Sequence, residues 1–515
     1  MKHINLKNLN HIIDKVHLEV YTSSIKTAHS IKNNVDVFLK NELFPQLEML
    51  FDEYDFRDKI VRFEQLSLSL TLNKWDDFNG LKSDIYNQLK EKLKSLIQPK
   101  ILTENFEIND AIPEKQNMQQ ISFINNSGQI FLFFLENGYL PWYGKEEQIS
   151  SLTQSETWVK SLDDLQFFKQ LDHILLTSEN ATDRFIIQFP DEIITAYLQR
   201  KNLGIQAETS NVSKIIRYLD HEGRRIFLKL LIRMAHHDFS VISHSLDRLI
   251  LTIQKAKNPV AERRTIEQLK KLFQRVLPGN DYRDSVLAKI DLLIKGKRRD
   301  SKSVRKIQKS EFDENSIIKQ NQPKDESNPQ QFNTDHSITH ETTPFLEKNE
   351  DEIRVQNAGL ILLHPFLKPF FSSCKITGKE GNLSPENFEL AIQTLHFLAT
   401  GNEDVFEGNL IFEKFLCGVP LKMPVQYKSQ LTESIKTEAN DLLVEVVRYW
   451  PALKNTSADG LRQMFIQRDG KLIQEENKYR LIVERKAQDL LLEKLNWNIS
   501  VIKLPWISNI LFTEW

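Results

Sequence analysis

The stretch NAGLILLHPF at residues 357–366 opens a series of short motifs that fill the last third of the chain. The series continues with LCGVP at 416–420, WPALKNTS at 450–457 and IKLPW at 502–506. Glycine admits left-handed backbone and proline fixes φ, so both residues set turns and helix starts. None of these motifs contains a catalytic constellation. They therefore predict a compact C-terminal domain of short, capped elements.

Hydrophobic periodicity around the motifs predicts that residues 353–515 form a mixed α+β domain. The predicted helices cover residues 388–399 and 435–450, and the predicted strands cover 479–483 and 499–501. Thr456 or Ser457 is placed to cap one more helix, because a hydroxyl can accept from the free N–H groups of a first turn.

The first 98 residues alternate between the periods of strands and helices, which predicts a small β-α-β-α unit in residues 1–98. Ser23 or Ser24 is the expected N-cap of its first helix. The strand, helix, strand and helix are assigned in turn to residues 12–20, 25–39, 66–72 and 85–96.

The middle of the chain has helical spacing from residue 128 to residue 295, after a polar stretch, 99–127, that predicts a loop. It includes long helices at 215–236 and 241–257, and Asn137-Gly138 is an expected helix stop. Residues 296–350 are rich in Lys and Arg at first and then in Asn, Gln, Ser and Glu. Such a composition buries too little apolar area to offset ordering entropy, which predicts a disordered linker. The predicted fold class is thus α+β, mainly α-helical.

Composition excludes several classes of protein. The 515 residues suffice for two to four domains, and a net charge of −2 gives no general attraction to nucleic acid or membrane. No apolar run approaches the roughly 20 residues of a membrane helix, and the N-terminus predicts no secretory signal. Two cysteines, Cys374 and Cys417, exclude a disulfide framework. We therefore expect a cytoplasmic protein.

Candidate catalytic and metal-binding residues are few. His236, His237 and His244 lack the i, i+4 spacing of a helical zinc site. Cys417 precedes a glycine, but a nucleophile also needs a positioned base and an oxyanion site, and only the distant His364 or His396 is available.

Other kinds of site are also disfavoured. Glycine-rich phosphate loops are absent, and the basic run at 295–309 has no interleaved aromatics for stacking on bases. We predict no catalytic, cofactor-binding or metal-binding residue, and no enzyme.

Tryptophan supplies the remaining candidates. Trp142 and Trp506 each follow proline, which presents the indole at a defined angle, and Trp515 ends the chain, where an aromatic suggests docking on this chain or on a partner. Closing a domain core is an equally good interpretation for Trp142 and Trp506. The candidate partner-docking residues are Trp142, Trp450, Trp506 and Trp515.

In combination, the motifs resemble the tape measure proteins of bacterial contractile injection systems, which are phage-tail-like particles. LENGYLPW at 135–142 is similar to the family's F-L-E-x-G-x-L-P-W segment, and the C-terminal motifs keep the family order. The match spans most of residues 10–295 and nearly all of 353–515. Asn496-Trp497 departs from it, because the family often has Pro-Trp there.

The resemblance implies a particle component associated with inner tube and baseplate proteins, which helps to set tube length, without cofactor, membrane or nucleic acid. It says nothing of the oligomeric state. A fully helical chain of this length would reach roughly 770 Å, whereas this sequence predicts compact domains. An adaptor or chaperone that loads cargo or tube components is therefore the alternative.

Overall fold

The structure is a computed structural model, and it describes residues 11–54, 59–71, 78–97, 118–201, 208–236, 242–255, 259–277, 279–296, 352–378, 381–426, 431–475, 478–507 and 509–515. The predicted loop up to residue 117 and the predicted linker beyond Gly296 lie outside these ranges. Contacts divide the chain into two units: Met1–Phe134 with Leu140–Thr157, and Leu135–Tyr139 with Trp158–Trp515.

The helices and strands confirm a mainly helical α+β protein. Helices α1 to α7 are Ile25–Phe38, Phe44–Asp52, Phe78–Ile97, Phe123–Asn137, Glu146–Leu152, Ser155–Asp163 and Leu165–Thr177. Helices α8 to α14 are Glu179–Gln188, Asp191–Lys201, Thr209–Tyr218, His221–Ala235, Ile242–Lys255, Pro259–Val276 and Asn280–Gly296. Helices α15 to α19 are His364–Ser373, Phe388–Thr400, Ile411–Leu416, Glu433–Tyr449 and Ala458–Leu461. Strands β1 to β7 are Lys59–Phe63, Met118–Ser122, Glu352–Val355, Gly470–Glu475, Lys478–Val483, Val501–Ile502 and Ile510–Glu514.

The first unit packs α1, α2 and α3 around one apolar cluster. Ser24 caps α1 as predicted, since its hydroxyl oxygen accepts from the Thr27 N–H at 3.2 Å. A π-helical turn at Leu39–Leu43 separates α1 from α2, whose first turn holds a proline. The buried members of the cluster are Phe38, Leu43, Leu47, Leu50, Leu81, Leu89, Leu93 and Ile97.

The strands of this unit differ from those predicted. Residues 12–20 and 66–71 belong to no strand, and residue 72 lies outside the described ranges. The strands instead are β1 and β2, which pair antiparallel from Lys59 opposite Ser122 to Phe63 opposite Met118. Alternating hydrophobicity shows only that a segment has an apolar and a polar face. A β-ladder also requires the edge of another strand to pair with, and that strand can be distant in sequence.

The helical part of the second unit, α7 to α14, consists of helices no longer than 18 residues. The predicted helix at 215–236 is two helices. Asp220 lies between them and caps α11, because its carboxylate accepts from the Gly223 N–H at 2.7 Å. A side-chain acceptor at this point stabilises a new helix start over a continuous helix.

The C-terminal part packs α16 against α17 and α18 and contains a five-stranded sheet of order β3-β4-β5-β7-β6. All nine residues from Ala391 to Ala399 on α16 are buried, which makes it the central element of this core. β5 and β7 run parallel, and the other neighbours are antiparallel. The predicted strand at 479–483 is β5, and Ser457 is the predicted cap of α19.

Candidate functional site

Trp142 is the predicted docking residue that the structure leaves partly open, with 37% of its surface exposed. It follows Pro141 and packs edge-on against Tyr143, with ring centroids 5.4 Å apart. Arg62 of β1 covers the Tyr143 ring, its guanidinium carbon 3.8 Å from the centroid. Burial lowers the pKa of Arg62, while Tyr143 acts in the opposite direction. The first unit thus presents an indole on a rigid tyrosine–arginine stack.

The other three tryptophans are engaged within the chain. Trp450 is fully buried, and its indole N–H donates to the Leu491 carbonyl at 3.1 Å. Trp506 is partly buried and donates to the Leu416 carbonyl at 2.7 Å. The Trp515 N–H donates to Asp489 at 3.1 Å, so the C-terminal indole docks on its own chain. Partner docking through these three stays a prediction.

A buried group of three charges forms the most constrained polar site of the second unit. It consists of Arg184 on α8, Glu407 at the start of the 3₁₀ helix Glu407–Asn409 and Lys414 on α17. None of the three side chains is exposed to solvent. Both cations bind the same atom: Glu407 Oε1 lies 3.1 Å from Arg184 Nε and 2.7 Å from Lys414 Nζ. Burying charges is costly unless they are paired and hydrogen-bonded, so the site is stable only while the three remain together.

Arg184 joins the helical part to the C-terminal part through backbone carbonyls as well. One guanidinium nitrogen donates to Leu135, and the other donates to Lys422 at 2.6 Å. One turn later, the Gln188 side chain donates to the Val425 carbonyl at 2.9 Å. The planar guanidinium supplies several donors in fixed directions, which suits one residue to three separate acceptors.

Lys414 holds the same loop from the other side. Its ammonium donates to the carbonyls of Leu421 at 3.2 Å and Met423 at 2.8 Å, in addition to Glu407. Burial lowers the pKa of Lys414, and the attraction of Glu407 opposes that shift. Together, Arg184 and Lys414 bind the carbonyls of three consecutive residues, 421–423, so this loop is fixed by charge-assisted bonds.

Gly138, in the motif at 135–142, is a glycine whose place the structure explains. It ends α4 as predicted, with φ of +81°. A Cβ atom added there would lie 2.5 Å from Arg184 Nη2. The motif therefore supplies both the Leu135 acceptor and the space that the guanidinium occupies.

Arg184, Glu407 and Lys414 were not predicted as site residues from the sequence. Arg184 and Glu407 are 223 positions apart, and charged residues are normally on the surface. Gly138 was the one available signal for this site. A helix stop accounts for its positive φ, but it does not reveal that the Arg184 guanidinium occupies the space where a Cβ would lie.

The structure gives no support to Cys417 as a nucleophile. Cys417 is buried, and burial raises the pKa of its thiol well above the ordinary value. Burial raises the pKa of Cys374 to about 12. Because the thiolate is the reactive form, both residues are poor nucleophiles at neutral pH.

The histidine candidates do not converge either. His396 Nδ1 lies 3.3 Å from Glu413, which also accepts from Asn357 at 2.8 Å inside the C-terminal core. His236 lies 3.0 Å from the Tyr197 hydroxyl, while His237 is outside the described ranges. Within the described part of the chain, no three His, Cys, Asp or Glu side chains are grouped as metal ligands.

None of the helices in the described ranges is both long and apolar enough to span a bilayer.

Comparison with known proteins gives one match. No curated protein and no solved structure matches the chain. A family model described as "Contractile injection system tape measure protein" matches residues 10–515. Such a family has a structural, non-enzymatic role and implies association with the tube and other components of the particle. Because the match covers essentially the whole chain, this protein belongs to the contractile injection system tape measure protein family.

Proposed function

We propose that this chain is a non-enzymatic assembly protein that associates with the inner tube and baseplate of the particle and sets the length of the tube. Family membership supports the tube association. We further propose that it acts during assembly in the cytoplasm, where the free thiols Cys374 and Cys417 would stay reduced.

The buried three-charge site supports a folded rather than a stretched form of this protein. Drawing the helical part out along a tube would separate Arg184 from Glu407 and leave buried charges unpaired. The longest helix in the described ranges, α3, has 20 residues and spans about 30 Å. We therefore propose that the second unit stays folded while the tube is built, and that it engages the tube as a compact body.

Tube length is expected to respond to the number of residues between the helical and C-terminal parts. Deleting 20 or 40 residues from the segment 301–348 should shorten the inner tube in proportion, by up to ~1.5 Å for each residue removed, the rise per residue of a helix. Electron microscopy of purified particles measures the lengths directly.

A variant with the same residues of 301–348 in scrambled order is the matched control, and it should keep the parental tube length. Normal particles with unchanged tubes in both deletions would rule out length setting through this segment. That outcome would favour the alternative proposal, a non-enzymatic adaptor or chaperone that loads cargo or tube components.

The contacts and the exposure of Trp142 favour the adaptor function. Tryptophan, tyrosine and arginine are the residues most enriched at binding hot spots. Here Tyr143 contacts Trp142 edge-on and Arg62 through its ring face, and the indole is partly exposed. We propose that Trp142 docks on a tube or baseplate protein.

Replacing Trp142 by alanine is expected to weaken binding of purified inner-tube protein about 30-fold, the equivalent of a 2 kcal/mol hot spot. Titration of the full-length chain by calorimetry or interferometry would measure the change. Leu490→Ala is the control, since Leu490 is 73% exposed and belongs to the second unit. Equal affinities of the two variants would show that Trp142 is not an anchor.

A further inference from the structure

Residues 15–21, KVHLEVY, form an exposed segment whose two sides have different chemistry. His17 Nε2 and the Tyr21 hydroxyl each lie 3.1 Å from Glu19, and a spacing of two residues places side chains on one face of an extended chain. Val16, Leu18 and Val20 alternate with them and remain 47%, 45% and 46% exposed. The segment therefore has the side-chain pattern of a strand, with an apolar face that is about half uncovered.

Both ends of this segment are attached to the first unit. His11 lies 2.9 Å from Asp52 and packs against Phe51 at the end of α2. On the other side, Ser24 caps α1. The intervening residues are thus partly ordered before any partner arrives, which lowers the entropic cost of pairing. Among the described residues, no strand pairs with them.

The sequence of the segment is complementary to itself when two copies run antiparallel. With Leu18 opposite Leu18 of a second copy, Val16 faces Val20, and His17 faces Glu19. Side chains that can hydrogen-bond to each other and pairs of β-branched residues stabilise neighbouring strands. The six apolar side chains of Val16, Leu18 and Val20 then share one face of the ribbon.

Other alignments of two copies are less favourable. A parallel pair, or an antiparallel pair centred on Glu19, places Glu19 directly opposite Glu19 of the second copy. An antiparallel pair centred on His17 brings Lys15 opposite Glu19 but also places Val20 opposite Asp14, a charge on the apolar face. Like charges that face each other across strands are destabilising, and a charge against an apolar side chain is also unfavourable, so the alignment about Leu18 is preferred.

We propose that this protein self-associates through residues 15–21, which pair antiparallel with the same residues of a second copy about a two-fold axis at Leu18. Such an interface is self-complementary, as two-fold symmetry requires. A two-stranded ribbon is marginal alone and smaller than a typical stable interface, so the association is weak and depends on concentration. The proposal does not depend on the role in tube length.

Disulfide trapping in the full-length chain tests the register. In a Cys374→Ser background, Leu18→Cys is expected to form a cross-linked dimer on mild oxidation, because directly opposed strand residues have Cα atoms about 4.5–5.5 Å apart. Val16→Cys alone should cross-link at least tenfold more slowly, since its two copies would be offset by four residues, about 13 Å. An equal mixture of Val16→Cys and Val20→Cys chains should cross-link at about half the rate of Leu18→Cys, because random pairing makes half of the dimers mixed.

Two outcomes of the trapping experiment would overturn the proposal. One is the absence of a Leu18→Cys dimer at high protein concentration, which would leave the segment to pair within its own chain. The other is an equal cross-linking rate for Val16→Cys alone and for Leu18→Cys.

Charge exchange gives a second readout by analytical ultracentrifugation. Glu19→Lys should weaken dimerisation several-fold, and adding His17→Glu should restore it by placing opposite charges face to face. No restoration would contradict the assigned pairs. Circular dichroism confirms that these surface variants fold.

Discussion

Replacing Arg184 by alanine is expected to destabilise the protein by about 3–5 kcal/mol, the usual cost of removing one partner from a buried ionic group. The change would leave Glu407 with Lys414 as its one cation and would remove the donors to the Leu135 and Lys422 carbonyls. Glu407 Oε2 already lacks a donor among the described residues, so it has no second bond to compensate. Urea denaturation followed by tryptophan fluorescence measures the loss.

Arg248→Ala is the matched control for this prediction. Arg248 forms an ion pair with Glu222 at 2.8 Å, but both side chains are about half exposed. Water screens such a pair, so its loss should change the free energy of unfolding by no more than about 1 kcal/mol. Arg184→Lys should fall between the two, because an ammonium retains the charge but not the planar set of donors. A result for Arg184→Ala as small as that for Arg248→Ala would mean that the buried site does not hold the second unit together.

Gly359→Ala is expected to prevent the C-terminal part from folding, a loss above about 4 kcal/mol. A Cβ atom at this position would overlap the Phe465 carbonyl oxygen and lie 2.7 Å from Ile466 Cα. Both obstacles are backbone atoms, so no side-chain rotation relieves the clash. Soluble yield, near-UV circular dichroism and proteolytic release of C-terminal fragments would report the effect.

Gly80→Ala is the opposite case and the control. Gly80 lies in α3, and no heavy atom would come within 4 Å of its new Cβ. Alanine restricts the unfolded chain and favours helix, so this variant should be more stable by roughly 0.5–1 kcal/mol. A Gly359→Ala protein with near-parental stability would show that the backbone around Phe465 yields easily.

These two predictions connect two motifs of the family to packing. Gly359 belongs to the motif at 357–366, and Gly138 belongs to the motif at 135–142. Each glycine leaves room for something else, a carbonyl oxygen in the first case and the Arg184 guanidinium in the second. Both positions serve the folded state of the second unit, which supports the proposal that this unit acts in its folded form.

Helices were predicted with most success, because the apolar spacing and the caps that define a helix are local. Ser24 and Ser457 begin helices where their sequences suggested. The helix predicted at 215–236 missed the break at Asp220, although an acidic residue before a glutamate is itself a start signal. The apolar periodicity continues across Asp220, and it therefore predicted one helix in spite of the N-cap residue.

Strands and the candidate site were harder to predict, because both depend on partners distant in sequence. Residues 12–20 have the alternation of a strand but no ladder, whereas β2 arose in a stretch predicted as loop. Of the four candidate tryptophans, the structure leaves Trp142 partly open and buries Trp450 completely. A proline before tryptophan fixes the backbone from which the indole projects. It does not determine whether the indole meets solvent or the core of its own chain.

The sequence by itself determined the mainly helical fold class and the ordered motifs by which the family is recognised. These follow from local periodicity, from turn residues and from fixed spacing along the chain. Only the tertiary structure decided that Arg184, Glu407 and Lys414 meet away from water and bind the loop at 421–423. A charged residue has no periodic signature of burial, and its partner is chosen by distance in space, which becomes defined only when the helical and C-terminal parts fold against each other.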